Sequence, residues 1–266
     1  MRTIAALPEE NLNDQLAILG RLRPAIITID GPAAAGKSTV GYHLATVANY
    51  LFFDTGIMYR AVTIAALQRN LNPSEPQSMG ALAAQIQIDI TPAQVDVTAV
   101  TATNHFVNVT IDGADVTALL HTADVDRTVS TVSMHPGVRQ ALSQQQRRIG
   151  HYYGSGAAKR AGIIMVGRDI GTVVMPDAPL KIYMDASVAE RARRRFCERR
   201  RQRKSVRFSD VLDDIMRRDK IDSERDASPL RRADDAIAIN TSFMSEAEVV
   251  QEILLLATQM LQEKNG

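Results

Sequence analysis

Cysteine is nearly missing from this chain: Cys197 is the only one in 266 residues, so neither an intrachain disulfide nor a multi-cysteine metal site can form. That suits a reducing compartment. No apolar run approaches the roughly 18 residues that a membrane-spanning helix needs, and the first residues lack the basic-then-apolar layout of a signal peptide. Glu9, Glu10 and Asp14 also argue against an acid-poor transit sequence. Charge of one sign is not in excess either. A formal net charge of +1 gives no global pull towards nucleic acid or a membrane surface. These absences predict a cytoplasmic protein, and a 45% hydrophobic content predicts a sizeable core in one large α/β unit, alone or with small inserts.

What the sequence does contain is a phosphate-binding pattern. Gly31-Pro32-Ala33-Ala34-Ala35-Gly36-Lys37-Ser38 fits G-x-x-x-x-G-K-[ST] at every constrained position. Glycines at both ends let successive N–H groups turn inward on a polyphosphate, Lys37 reaches the outer phosphates, and Ser38 offers a hydroxyl to Mg²⁺. Ile26 to Ile29 upstream read as a short buried strand, and Ser38 to Ala48, with Thr39 in its first turn, as a helix whose N-terminus faces the anion. A nucleoside triphosphate is therefore expected to bind at residues 31–39.

Upstream, Leu12, Leu16 and Leu19 at i, i+4, i+7 predict one amphipathic helix in an extension over residues 1–24. Downstream, Leu51-Phe52-Phe53 is a second apolar run that ends in Asp54-Thr55-Gly56, with Arg60 on the helix that follows. If these two strands are neighbours, Asp54, Thr55 and Arg60 lie near the phosphate loop, since ligands in doubly wound sheets sit beyond the strands' carboxyl ends. Between Asn70 and Ile149 the pattern changes to two alternating strands, Ile86–Ile90 and His105–Ile111, with an Asp112-Gly113 turn, and then to mostly helical sequence carrying Ser130 and Arg139. That block reads as a small α+β insert, free of repeats and low-complexity tracts. Apolar runs resume at Ile163–Val166 before Gly167-Arg168-Asp169, at Lys181–Met184 before Asp185, and at Ala236–Ile239, giving five core strands in all. From Arg191 to Arg207, ten of seventeen residues are Arg or Lys. A solvated face or a nucleic-acid patch would explain such a run; a mobile lid that brings arginines onto transferring phosphates explains it better, because aromatic residues are sparse there. Arg218, Asp222 and Arg225 share one helical face, where an exposed salt-bridge ladder is the plain alternative. Ser245-Glu-Ala-Glu248 is a capping box that opens a closing helix.

Four motifs in this order, Gly31–Ser38, Asp54-Thr-Gly-Ile-Met-Tyr-Arg60, Gly167-Arg-Asp-Ile-Gly-Thr172 and Arg218-Asp219-x-x-Asp222-x-x-Arg225, make the chain from about Ile26 onward resemble the bacterial cytidylate kinase family. The resemblance implies a P-loop nucleoside monophosphate kinase domain over 25–266: a five-stranded parallel core, a monophosphate-binding insert at about 70–150 and a short Arg-rich lid at about 191–226. It implies transfer of the ATP γ-phosphoryl group to CMP or dCMP with Mg²⁺; a monomer with no nucleic-acid or membrane partner is expected. Carried over by position, Lys37, Arg168 and Arg194 would act in transfer, with Ser38 at the metal. Arg60, Arg168 and Arg225 would hold the acceptor phosphate, with Thr55 in the acceptor site; Ser130, Arg139 and Asp169 would read cytosine, and Asp222, beside Arg218, would bind the ribose hydroxyls. The chemistry agrees, since phosphoryl transfer needs positioning and charge neutralisation rather than a protein nucleophile. One departure stands out: many members carry Asp or Glu where this chain has Val166, which leaves Asp169, Asp185 or Asp54 to serve the metal's outer shell. His43, His105 and His135 match no functional position.

Overall fold

The computed structural model describes residues 19–93, 107–202, 205–225 and 227–263. In chain order these form β1 (Ile26–Asp30), α1 (Lys37–Val47), β2 (Leu51–Asp54), α2 (Gly56–Gln68), α3 (Pro76–Gln85), β3 (Ile88–Pro92), β4 (Val107–Ile111) and β5 (Ala114–Asp115). Then come α4 (Ala123–Met134), α5 (Pro136–Gly154), β6 (Ile163–Val166), β7 (Leu180–Asp185), α6 (Val188–Arg201), α7 (Phe208–Glu224), β8 (Ile237–Asn240) and α8 (Glu246–Glu263). Leu12, Leu16 and His105 lie outside the described residues.

All five residues of β1 are buried, as its continuous apolar run requires of a strand covered on both faces. It sits at the centre of a parallel sheet ordered β2-β6-β1-β7-β8. The first two strands are therefore not neighbours. β6 lies between them, yet the expected proximity survives, because Val166 pairs with Ile29 on one side and with Asp54 on the other. The ends of β1 and β2 thus stand level.

One face of the sheet packs on α1 and α8 through Ile27, Ile29, Val40, Leu44 and Ile253, and the other on α5 through Ile26, Ile149 and Met165. Leu19 and Leu22 are also fully buried in the first of these clusters, and Leu19 O accepts from the Tyr50 hydroxyl at 2.7 Å. That end of the N-terminal stretch therefore belongs to the core. The alternating sequence between α3 and α4 forms an antiparallel sheet, β3-β4-β5, turned at Asp112-Gly113 with both residues at positive φ. Its inner residues join the same apolar cluster as the parallel sheet, since Ile88, Ile90 and Val109 belong with Phe53 and Met165.

Val166, where the resemblance leads to the expectation of an acid, is buried. Its side chain lies over α1 at Gly41, where a Cβ would come within 2.9 Å of Val166 Cγ2. The closing helix begins as the capping box predicts, with Ser245 N donating to Glu248 Oε2 and Glu248 N to Ser245 Oγ.

Candidate active site

The phosphate loop follows β1 and is shaped partly from outside itself. A Cβ on Gly31 would lie 1.9 Å from the Met184 carbonyl oxygen, so β7 admits only glycine there, and Gly36 and Ala34 also take positive φ. Arg191 Nη1 donates to Ala33 O at 3.3 Å, while Thr241 Oγ1 and Arg194 Nη1 donate to Ala35 O at 3.0 and 3.3 Å. Carbonyls held outward in this way leave the loop's interior to its N–H groups, the polarity that an anion needs. Lys37 is buried and folds across the loop, donating to Pro32 O at 2.7 Å. Burial first, and then the Arg168 charge, push its ammonium well below the ordinary value; a bound polyphosphate would act in the opposite direction. Ser38 Oγ donates to Asp54 Oδ2 at 2.8 Å, and Asp54 Oδ1 accepts from Gly56 N at 3.0 Å. A hydroxyl and a carboxylate side by side form a hard-oxygen pair of the kind Mg²⁺ takes. Of the three acids considered for the metal's surroundings, Asp54 is the one bonded to Ser38. Asp185 is turned to Ala186 N at 2.7 Å and Asp169 to arginines.

Across the sheet's carboxyl edge lies a cluster of alternating charge. Arg139 on α5 pairs with Asp169 at 2.9 Å, and both are buried. Arg225 lies 3.7 Å from the other Asp169 oxygen and 3.4 Å from Asp222. Asp222 in turn takes Arg168 at 2.9 Å and lies 3.9 Å from Arg218. Four guanidinium groups against two carboxylates leave positive charge in excess, as a phosphate acceptor site demands. Burial pushes the Asp222 carboxyl up, but Arg168, helped by Arg218 and Arg225, outweighs it and holds the group below the usual carboxylate range. The plain alternative for Arg218, Asp222 and Arg225, an exposed ladder, is thereby replaced: Asp222 is buried and bonded to Arg168, 54 positions away. Arg139 Nε and Arg225 Nη2 are buried without a hydrogen-bond partner, which leaves donors for something brought in from solution.

The other predicted residues are held by partners of their own. Arg60 Nη1 is held by Leu120 O at 2.8 Å and Asp126 at 2.6 Å, both from the segment that forms and precedes α4. Ser130 is exposed on α4, one turn before Ser133, whose carbonyl receives Arg139 at 3.4 Å. The Thr55 hydroxyl donates to Val166 O at 2.9 Å and ties β2 to β6. Arg194 reaches the phosphate loop and Thr241, braced by Glu190.

Three residues that sequence reasoning passed over are built into the site. Tyr59 lies under the Arg139 guanidinium, 5.3 Å from ring centroid to Cζ, and burial pushes its phenol up to about 12. Arg191 is a buried strut, since it grips Asp219 bidentately at 2.6 and 2.9 Å. Asp30 closes β1 and is buried. The signal for Asp30 was in plain view, because an acid ending an apolar run is what marked Asp54 and Asp185.

A parallel sheet with a phosphate loop after its central strand and an arginine cluster beyond its carboxyl edge defines a P-loop nucleotide-binding protein built for phosphoryl chemistry. The family model described as Cytidylate kinase matches residues 27–259. The chain is 42% identical over 228 residues to a cytidylate kinase of Bacillus pumilus, covering 86% of this chain and 93% of that one. It is 40% identical over 228 residues to the Bacillus subtilis protein of that name, covering 86% and 94%, and 42% identical over 231 residues to that of Roseiflexus castenholzii, covering 87% and 92%. The chain belongs to the cytidylate kinase family.

Proposed function

We propose that this chain transfers the γ-phosphoryl group of ATP to CMP or dCMP, giving ADP and CDP or dCDP. A phosphate oxygen of the acceptor bonds to the γ-phosphorus as the bridge to the β-phosphate breaks, and that electron pair leaves on ADP. The acceptor oxygen carries no proton that must be removed, so the protein's work is alignment and charge neutralisation. The loop 31–39 holds the triphosphate, Lys37 bridges its outer phosphates, and Arg194 reaches in from α6. Arg60, Arg168 and Arg225 receive the acceptor phosphate, Asp222 with Arg218 the ribose hydroxyls, and Ser130, Arg139 and Asp169 the base, with Thr55 fixing the strand end beside them. Mg²⁺ held at Ser38, with Asp54 next to it, would offset charge on the triphosphate. In this reading residues 70–150 form the acceptor-binding insert and 191–226 the lid, within one kinase unit.

The observation that carries the reading is the buried Arg139–Asp169 pair, joined through Arg225 to Asp222. Cytosine presents an amine that donates and ring positions that accept. A carboxylate and a guanidinium held side by side in a buried site match both, whereas the 4-oxo group and N3–H of UMP meet the wrong partners. Such a site rejects the wrong base by up to about 10⁴–10⁵. ADP release measured across CMP, dCMP, UMP and AMP tests this. Asp169→Asn should lower kcat/KM for CMP and narrow its lead over UMP while leaving the KM for ATP in place. An unchanged CMP-to-UMP ratio would refute the base-reading role. The rival reading of the basic run as a nucleic-acid footprint loses force, because Arg191, Arg193, Arg194, Arg195, Arg199 and Arg207 each pair with a carboxylate of α6 or α7.

A further inference from the structure

Asp30 is a buried carboxylate for which the reaction as written has no use. It ends β1 immediately before Gly31, and its two oxygens accept from Ile170 N at 2.9 Å and Gly171 N at 2.7 Å. Those amides open the π-helical turn Ile170–Val174, where Asp169 O accepts from Val173 N and Val174 N. The first N–H groups of a helical turn have no acceptor within it and need one from elsewhere. Here it comes from a strand 140 positions earlier in the chain. The turn begins directly after Arg168 and Asp169, so one residue joins the donor loop, by its backbone peptide bond to Gly31, to the acceptor loop, by two hydrogen bonds that its side chain accepts. Two converging donors require an acceptor-only group; an amide would aim its own N–H at one of them. The arrangement is tight as well, because a Cβ on Gly171 would lie 3.3 Å from Asp30 Oδ2 and 2.9 Å from Thr28 Oγ1.

We propose that Asp30 is a positioning residue that sets where Arg168 and Asp169 stand relative to the phosphate loop, and thereby both the transfer geometry and the choice of acceptor base. The proposal rests on the roles assigned above to Arg168 and Asp169. A carboxylate in this place is disfavoured by its own burial and by Asp169, and favoured by Lys37 and by the two amides. The fold therefore keeps a charge where an apolar or amide side chain would be easier to bury, a cost that active sites bear for alignment.

Two variants approach the clamp from opposite sides: Asp30→Asn removes an acceptor, and Gly171→Ala pushes the amide away. In both, hydrogen exchange at the amides of positions 170 and 171 should quicken roughly tenfold, the worth of about one hydrogen bond. Turnover of CMP should fall on the order of 10²-fold, as for a displacement of about 1 Å at a transfer site, with a narrower CMP-to-UMP ratio. The melting temperature of Asp30→Asn at pH 8 should hold or rise. Unchanged exchange at the two amides, or activity lost only in step with a lowered melting temperature, overturns the proposal. If the parent enzyme itself shows no preference for CMP, the base-reading assignment fails instead, and amide exchange together with CMP turnover still decides the clamp.

Discussion

Lys37 is caught between burial and charge, with its ammonium spent on Pro32 O; in the proposed role, phosphate oxygens would compete for it. Lys37→Ala should leave the fold intact and cost about 2.7–4 kcal/mol in the transition state, roughly 10²–10³ in turnover. Near-parental turnover would overturn the phosphate-loop assignment. Val166 behaves differently, because a carboxylate in its place would face Gly41 and Phe52 with no partner. Val166→Asp should destabilise the protein by up to several kcal/mol for an unpaired buried charge, and Mg²⁺ should not restore the melting temperature. Asp54→Asn, by contrast, should shift the Mg²⁺ dependence of turnover and leave the melt nearly unchanged. Asp30 gives a pH signature. Burial first, opposed by the Gly171 and Ile170 amides and with Asp169 adding to it, raises its pKa from 3.8 to about 6, with Lys37 and Tyr183 also facing it. The folded state thus holds this proton more tightly than the unfolded chain does. Its contribution to stability is complete below about pH 4 and is lost as pH rises through about 6, by about 3 kcal/mol. Stability measured from pH 4 to 7 should therefore fall less steeply with rising pH in Asp30→Asn than in the parent; parallel curves would contradict the shift.

At the scale of elements, α6 and α7 form an antiparallel pair pinned by Arg191 and Asp219, and the same arginine touches the phosphate loop at Ala33. Removing Asp219 leaves the buried Arg191 charge stranded, so Asp219→Ala should cost about 3–5 kcal/mol. Arg191→Met combined with Asp219→Leu should recover much of that loss in thermal melts. Turnover should stay low in the double variant, because the link to the loop is gone. Nothing in the sequence separated Arg191 from the arginines around it. Ten basic residues in a row of seventeen look alike until the fold shows which one faces inward. The phosphate loop was legible because its constraints are local: two glycines, a lysine and a hydroxyl within eight residues, with a strand before and a helix after. The capping box at Ser245 was legible for the same reason. The order of strands was not. β6 comes between β1 and β2 because the chain returns after more than a hundred residues, and no short-range pattern records which edge it will take. Asp30, Asp169 and Arg139 are each visible in the sequence as polar residues, but their bonds span thirty or more positions and were readable only through the family resemblance or the coordinates.

For the molecule as a whole, core packing reaches back beyond the first motif to Leu19 and Leu22. Leu19→Ala or Leu22→Ala should cost about 2–5 kcal/mol, as for any large side chain removed from a packed core, whereas no kinetic role is expected of either. A melt unchanged by both would show that the buried leucines add nothing. The apolar cluster that runs from Phe53 and Met165 to Val109 and Leu142 has a larger effect. An insert sharing its core with the sheet cannot melt by itself, so calorimetry should give one transition rather than two. Binding energy gained anywhere then becomes the common property of the whole: CMP at 100 times its Kd should add about 2.7 kcal/mol to the unfolding of β4 and of β8 alike, making each substrate a stabiliser of parts of the protein it never touches.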